Sequence, residues 1–90
     1  MRRVGQARKR DANEQPIVEA LEKIGARVQK VSAKGFCDLV VYHGGVVLLL
    51  EVKGAKGKLT PAQVEHRDDG WPVVIVRCEA DALAACGVTN

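Results

Sequence analysis

The chain has 90 residues, 47% of them apolar, but only one Phe, one Tyr and one Trp, so any core must be built from Val, Leu, Ile and Ala; the length allows one small domain and excludes two. Residues 1–10 hold Arg2, Arg3, Arg8, Lys9 and Arg10 and no acid, a charge of +5, while the remainder holds nine Lys/Arg against eleven Asp/Glu, a charge of −2. Three cysteines without a C-x-x-C pair exclude a disulfide framework and a cysteine-rich zinc site, and the longest apolar run, Val46 to Leu50, is far below the ~18 residues of a membrane span.

Residues 1–11 form a basic arm on a nearly neutral body, residues 12–90. Such an arm suits a polyanion, nucleic acid above all, although a solvated terminus has the same composition. Met1-Arg2-Arg3 does not open a signal peptide, so a soluble, cytoplasmic protein without a membrane partner is expected. A chain this small buries about 60% of the surface it exposes when unfolded and gains from pairing with a second copy.

The segment from Glu14 to Gly25 reads as a helix, with Ile17, Val18, Leu21 and Ile24 at helical spacing, Pro16 confined to the first turn and Gly25 as the C-terminal cap. Val28 to Val31 reads as a short strand and Ala33-Lys-Gly-Phe36 as a bend. Two β-rich runs follow, Asp38 to His43 and Val46 to Lys53, joined by Gly44-Gly45 as a hairpin turn. That turn sets a register in which Tyr42 faces Val47, Val40 faces Leu49 and Asp38 faces Glu51. Both runs are apolar on both faces, so they are expected at the centre of a sheet covered by helices on two sides. Gly54 to Lys58 reads as a flexible basic loop. Thr60-Pro61 starts a second helix that runs to about Asp69 and stops at Gly70, Pro72 to Arg77 is a buried strand, and Ala80 to Cys86 is a last helix ended by Gly87. The order is αβββαβα, an α/β sandwich with a mixed central sheet flanked by helices.

The chemistry concentrates in the hairpin. Directly opposed carboxylates on neighbouring strands stand roughly 4.5–5.5 Å apart at Cβ and repel, so Asp38 against Glu51 calls for a cation between them. Lys53, two residues beyond Glu51, lies on the same face. Hard oxygen ligands favour Mg²⁺ or Mn²⁺, and an ammonium beside them can orient a water or steady a phosphate, which together is equipment for phosphodiester hydrolysis. Taken alone, the same three residues also read as solvated ends of a hairpin.

Glu14 opening the first helix, Gly35-Phe-Cys-Asp-Leu39 entering a strand, Glu51-Val-Lys53 ending the next and Lys58-Leu-Thr-Pro-Ala-Gln63 resemble the VRR-NUC family of the PD-(D/E)xK nuclease superfamily, over roughly residues 12–77. Where the family usually has Pro before its aspartate, this chain has Cys37. The resemblance implies a restriction-endonuclease-like αβββαβ core and one nuclease domain over residues 12–90. It implies metal ligation by Asp38, Glu51 and the Val52 carbonyl, with Glu14 assisting, and places Lys53 as the catalytic lysine and Gln63 beside the site. It further implies a Mg²⁺-dependent endonuclease acting on branched DNA as a homodimer, in the manner of a Holliday junction resolvase of a bacterium or a virus. A flap, nick or restriction-like endonuclease and a non-catalytic nucleic-acid-binding module are the alternatives. Lys34, Lys56 and Lys58 flank the acids and are candidate phosphate contacts together with the arm. His43 and His66 read as surface residues, Phe36 and Trp71 as core or partner contacts, and Cys37 lacks a histidine to activate it as a nucleophile.

Overall fold

The computed structural model describes residues 12–32 and 36–88; the basic arm with Arg2, Arg3, Arg8, Lys9 and Arg10, and also Lys34, lie outside them. The order is α1 (Glu14–Lys23), β1 (Arg27–Lys30), β2 (Leu39–His43), β3 (Val46–Val52), α2 (Pro61–Asp68), β4 (Val73–Val76) and α3 (Glu79–Ala85). It matches the αβββαβα order expected from the sequence.

Helix α1 forms around the stripe Ile17, Val18 and Leu21, all buried, with Pro16 at its third position, where a missing N–H costs nothing. It ends because Gly25 takes φ +86°, a left-handed conformation that a Cβ would penalise. The Gly25 N–H then reaches the Glu22 carbonyl (3.0 Å) and the Ala26 N–H the Leu21 carbonyl (3.1 Å), which satisfies the last turn.

The four strands lie in the order β1-β2-β3-β4, the first three antiparallel and β4 parallel to β3. The Gly44-Gly45 turn fixes the hairpin register as expected, with Tyr42 opposite Val47, Val40 opposite Leu49 and Leu39 opposite Leu50. A parallel neighbour needs a crossover, and α2 supplies it between β3 and β4.

The core lies on one face of the sheet, where Leu39, Val41, Leu50, Val52 and Val76 pack with Ile17, Val18 and Leu21 of α1 and Ala82 of α3. Helices lie on both faces, as expected from the doubly apolar strands, but the second face is covered only in part. On the opposite face α2 sits by the β3–β4 end, while Tyr42 and Val47 stay 51% and 61% exposed. A helix of eight residues is too short to span four strands. The cysteines are all free: Cys37 is buried, Cys86 is partly buried, which pushes its thiol pKa up by desolvation, and Cys78 is exposed.

Replacing Gly25 by Ala meets no atom within 4 Å, so its cost isolates the left-handed backbone. The expected loss is about 1–2 kcal/mol, read as a lower urea midpoint with an unchanged m-value.

Candidate active site

Asp38 enters the site through a bulge rather than by facing Glu51 across a regular ladder. Leu39 pairs with Leu50, and the Asp38 N–H also donates to the Leu50 carbonyl (2.9 Å), so two consecutive residues oppose one. The bulge re-aims the side chain, and Asp38 Oδ2 accepts the Val52 N–H at 2.8 Å. The expected direct opposition of Asp38 and Glu51 is therefore corrected: Asp38 is tied to the backbone one residue beyond Glu51. Asp38 is 6% exposed and Glu51 3% exposed, so neither is a solvated hairpin end.

Glu51 is held from two sides. Lys53 Nζ stands 3.6 Å from its Oε2 and Gln63 Nε2 donates to the same oxygen at 2.6 Å. The Gln63 side chain cannot turn freely, because its Oε1 accepts the Thr60 N–H (2.9 Å) while the Gln63 N–H donates to Thr60 Oγ1 (3.2 Å). This reciprocal pair is a capping box at the start of α2, and it leaves the amide nitrogen of Gln63 pointing at Glu51. The signal, Thr60 and Gln63 three apart before a helix, stands in the sequence as a cap; its second use depends on where β3 ends.

Glu14, 4% exposed in the first turn of α1, sits at the same end of the sheet. Asn13 shows this, since its Nδ2 donates both to the Lys53 carbonyl (3.1 Å) and to the Arg77 carbonyl (3.0 Å), tying α1 to the ends of β3 and β4. Among the described residues no group of three His, Cys, Asp or Glu side chains is placed to hold a metal ion. Lys56 and Lys58 are exposed in the segment after Lys53.

His66 departs from its expected place on the surface. It is half-buried with Nδ1 against the Ala62 carbonyl (3.1 Å), and it lines a hollow of about 30 Å³ together with Phe36, Glu51, Leu59, Gln63 and Ile75. The Phe36 ring lies 5.3 Å from His66 and meets the Trp71 ring edge-on at 5.1 Å. Aromatic rings prefer such offset contacts, so Phe36 is a wall of the site's rim, and the half-exposed Trp71 adjoins the acidic Glu65, Asp68 and Asp69. His43 flanks the Gly44-Gly45 turn, away from this end.

No protein-family model and no curated protein matches the sequence. A solved structure described as a VRR_NUC domain is similar at a TM-score of 0.64 and 28% identity, covering 80% of this chain and 89% of that chain. This likeness supports assigning the chain to the VRR-NUC family. Its mixed sheet with flanking helices is consistent with a restriction-endonuclease-like fold, and the likeness supports a nuclease of the PD-(D/E)xK type. No described helix is long and apolar enough to cross a membrane.

Asp38 carries a structural bond as well as a carboxylate, and two substitutions separate them. Asp38→Asn keeps an oxygen to accept the Val52 N–H and is expected to unfold near the wild-type urea concentration. Asp38→Ala strands that buried N–H and is expected to cost about 1–3 kcal/mol in the same titration.

Proposed function

We propose that this VRR-NUC domain is a divalent-metal-dependent deoxyribonuclease that hydrolyses phosphodiester bonds in branched DNA. The observation that carries the reading is the convergence of Lys53 and Gln63 on one oxygen of a buried Glu51, with buried Asp38 fixed beside it on the same strand end. A structural ion pair would not need a glutamine locked in orientation or a second buried carboxylate fixed to the next residue of the same strand.

The donor set fits Mg²⁺ or Mn²⁺: two buried carboxylates, Asp38 and Glu51, and the Val52 carbonyl are all hard oxygens. When bound, such an ion polarises the phosphodiester and lowers the pKa of a water. Asp38 and Glu51 would hold it and Glu14 would act through a water. Lys53 would orient the attacking water or meet the charge that builds on the phosphate, and its side chain, 14% exposed, sits in a setting drier than bulk solvent, which strengthens that attraction. Gln63 keeps Glu51 in place. Lys56, Lys58, Lys34 and the arm residues Arg2, Arg3, Arg8, Lys9 and Arg10 would attract the DNA backbone, a sequence-independent term that falls as salt rises.

The preference for four-way junctions and the action as a homodimer rest on the resemblance to junction resolvases and on symmetry. A junction presents two symmetry-related strands, and a two-fold dimer presents two sites to them. The exposed Tyr42 and Val47 leave apolar surface for a partner. In this reading the domain would work in the cytoplasm of a bacterium or of a virus-infected cell.

The deciding experiment cuts labelled four-way junction, flap, nicked and linear DNA in Mg²⁺ or EDTA with the wild type, Asp38→Asn, Glu51→Gln and Lys53→Ala. Expected is junction cutting in Mg²⁺ alone, lowered about a hundredfold or more in each variant. Equal cutting of all four substrates removes the junction preference, and binding without cutting makes the domain a binding module. Deleting residues 1–11 should flatten the salt dependence of DNA binding by up to about 0.9 for every phosphate that the arm neutralises, with cutting at saturating DNA unchanged.

A further inference from the structure

We propose that Arg77 is a positioning residue for Lys53, acting through the turn at residues 54–57; the proposal rests on the reading of Lys53 as the catalytic ammonium. The segment Gly54 to Lys58 reads from sequence as a free basic loop, but a side chain from beyond β4 closes it from beneath. Arg77 Nη1 donates to the Gly54 carbonyl at 2.5 Å and to the Gly57 carbonyl at 2.9 Å, and the Gly57 N–H donates to the Gly54 carbonyl at 3.0 Å. One guanidinium nitrogen therefore joins both ends of the turn.

Arg77 is itself fixed on both sides of its backbone. Its N–H donates to Asp81 Oδ2 (2.9 Å) and its carbonyl accepts Asn13 Nδ2 (3.0 Å), the same amide that holds the Lys53 carbonyl. The Lys53 N–H donates to the Val76 carbonyl (3.1 Å), the residue before Arg77. The backbones of Lys53 and Arg77 thus form one rigid patch, and what remains to be set is the Lys53 side chain.

Gly57 sets it. A Cβ on Gly57 would stand 3.3 Å from Lys53 Cβ and 3.4 Å from Lys53 Cδ, so the turn lies flat against the lysine stem. With four rotatable bonds the stem has many rotamers, and a wall on one side removes those that carry the ammonium away from Glu51. The wall holds its place only while the turn is closed, and Arg77 closes it. The chain of cause runs from the guanidinium to two carbonyls, from the turn to the Lys53 stem, and from the stem to an ammonium 3.6 Å from Glu51.

Two substitutions test this with opposite charge consequences. Arg77→Met keeps the stem and removes donors and charge; Gly57→Ala keeps every charge and presses a methyl group on the Lys53 stem. Both are first shown to be folded by circular dichroism and a thermal midpoint. Expected for both is a kcat on junction DNA lowered about ten- to a hundredfold, with the Kd in EDTA and its salt slope unchanged within twofold. Trypsin should cut after Lys56 or Lys58 faster in folded Arg77→Met than in the wild type, because the turn has opened. An unchanged kcat in Arg77→Met overturns the proposal. So does a weaker Kd with a salt slope lower by about one and an unchanged trypsin rate, which would make Arg77 a direct phosphate contact. A wild type that cuts no DNA overturns the nuclease reading together with this role for Arg77. Lys53→Ala inactive beside fully active Arg77→Met and Gly57→Ala overturns the role alone.

Discussion

Burying carboxylates in a small aliphatic domain is the constraint around which the rest is arranged. Glu14, Asp38 and Glu51 are each less than a tenth exposed, in a protein whose core otherwise consists of Val, Leu, Ile, Ala and Cys37. Taking one ionised carboxylate out of water costs several kcal/mol unless donors replace the lost solvent, a large share of the ~5–15 kcal/mol that stabilises such a domain. The structure supplies those donors locally. Val52 gives its N–H to Asp38, and Lys53 and Gln63 converge on Glu51. A bulge at the start of β2, a capping box in α2 and a lysine two residues along β3 together hold and aim Asp38 and Glu51.

Several of those groups do two jobs. The Gln63 carbonyl oxygen caps α2 and thereby points its nitrogen at Glu51, so the stability of the helix start and the orientation of the acid are one interaction. Asn13 begins α1 and joins the carbonyls of Lys53 and Arg77, so the helix that covers the core also sets the spacing of β3 and β4. Arg77 turns a glycine-rich segment into a wall for the lysine. Such sharing is economical in a short chain, and it means that a substitution in the site is felt in the fold. Asp38 is the clearest case, since its carboxylate serves the backbone of β3 before it serves any ligand.

The sheet is lopsided for the same reason of size. Two helices and the interior of one face make the core, and the opposite face carries α2 near the acids while leaving Tyr42 and Val47 to solvent. That arrangement leaves a small hollow between Glu51 and α2 and offers apolar surface to a partner. It also explains why His66 belongs to the site's rim, because α2 is the one helix on that face among the described residues.

The element order, the hairpin register and the trio Asp38, Glu51 and Lys53 were legible in the sequence, because they depend on local physics: alternation, helical spacing, a Gly-Gly turn and residues two apart on one strand. The resemblance to VRR-NUC nucleases was legible for the same reason, since its motifs sit on those elements. What only the tertiary structure decided depends on contacts between segments far apart in the chain. The bulge that swings Asp38 onto Val52 is set by pairing with β3, and the approach of Gln63 to Glu51 by the return of α2 over the sheet. The inclusion of His66, the single-sided core and the bonds of Asn13 and Arg77, 40 and 20 to 23 residues from the groups they hold at the end of β3, have no local signature at all. A sequence lists donors and acceptors, but which of them meet is decided by how one sheet packs and twists as a whole.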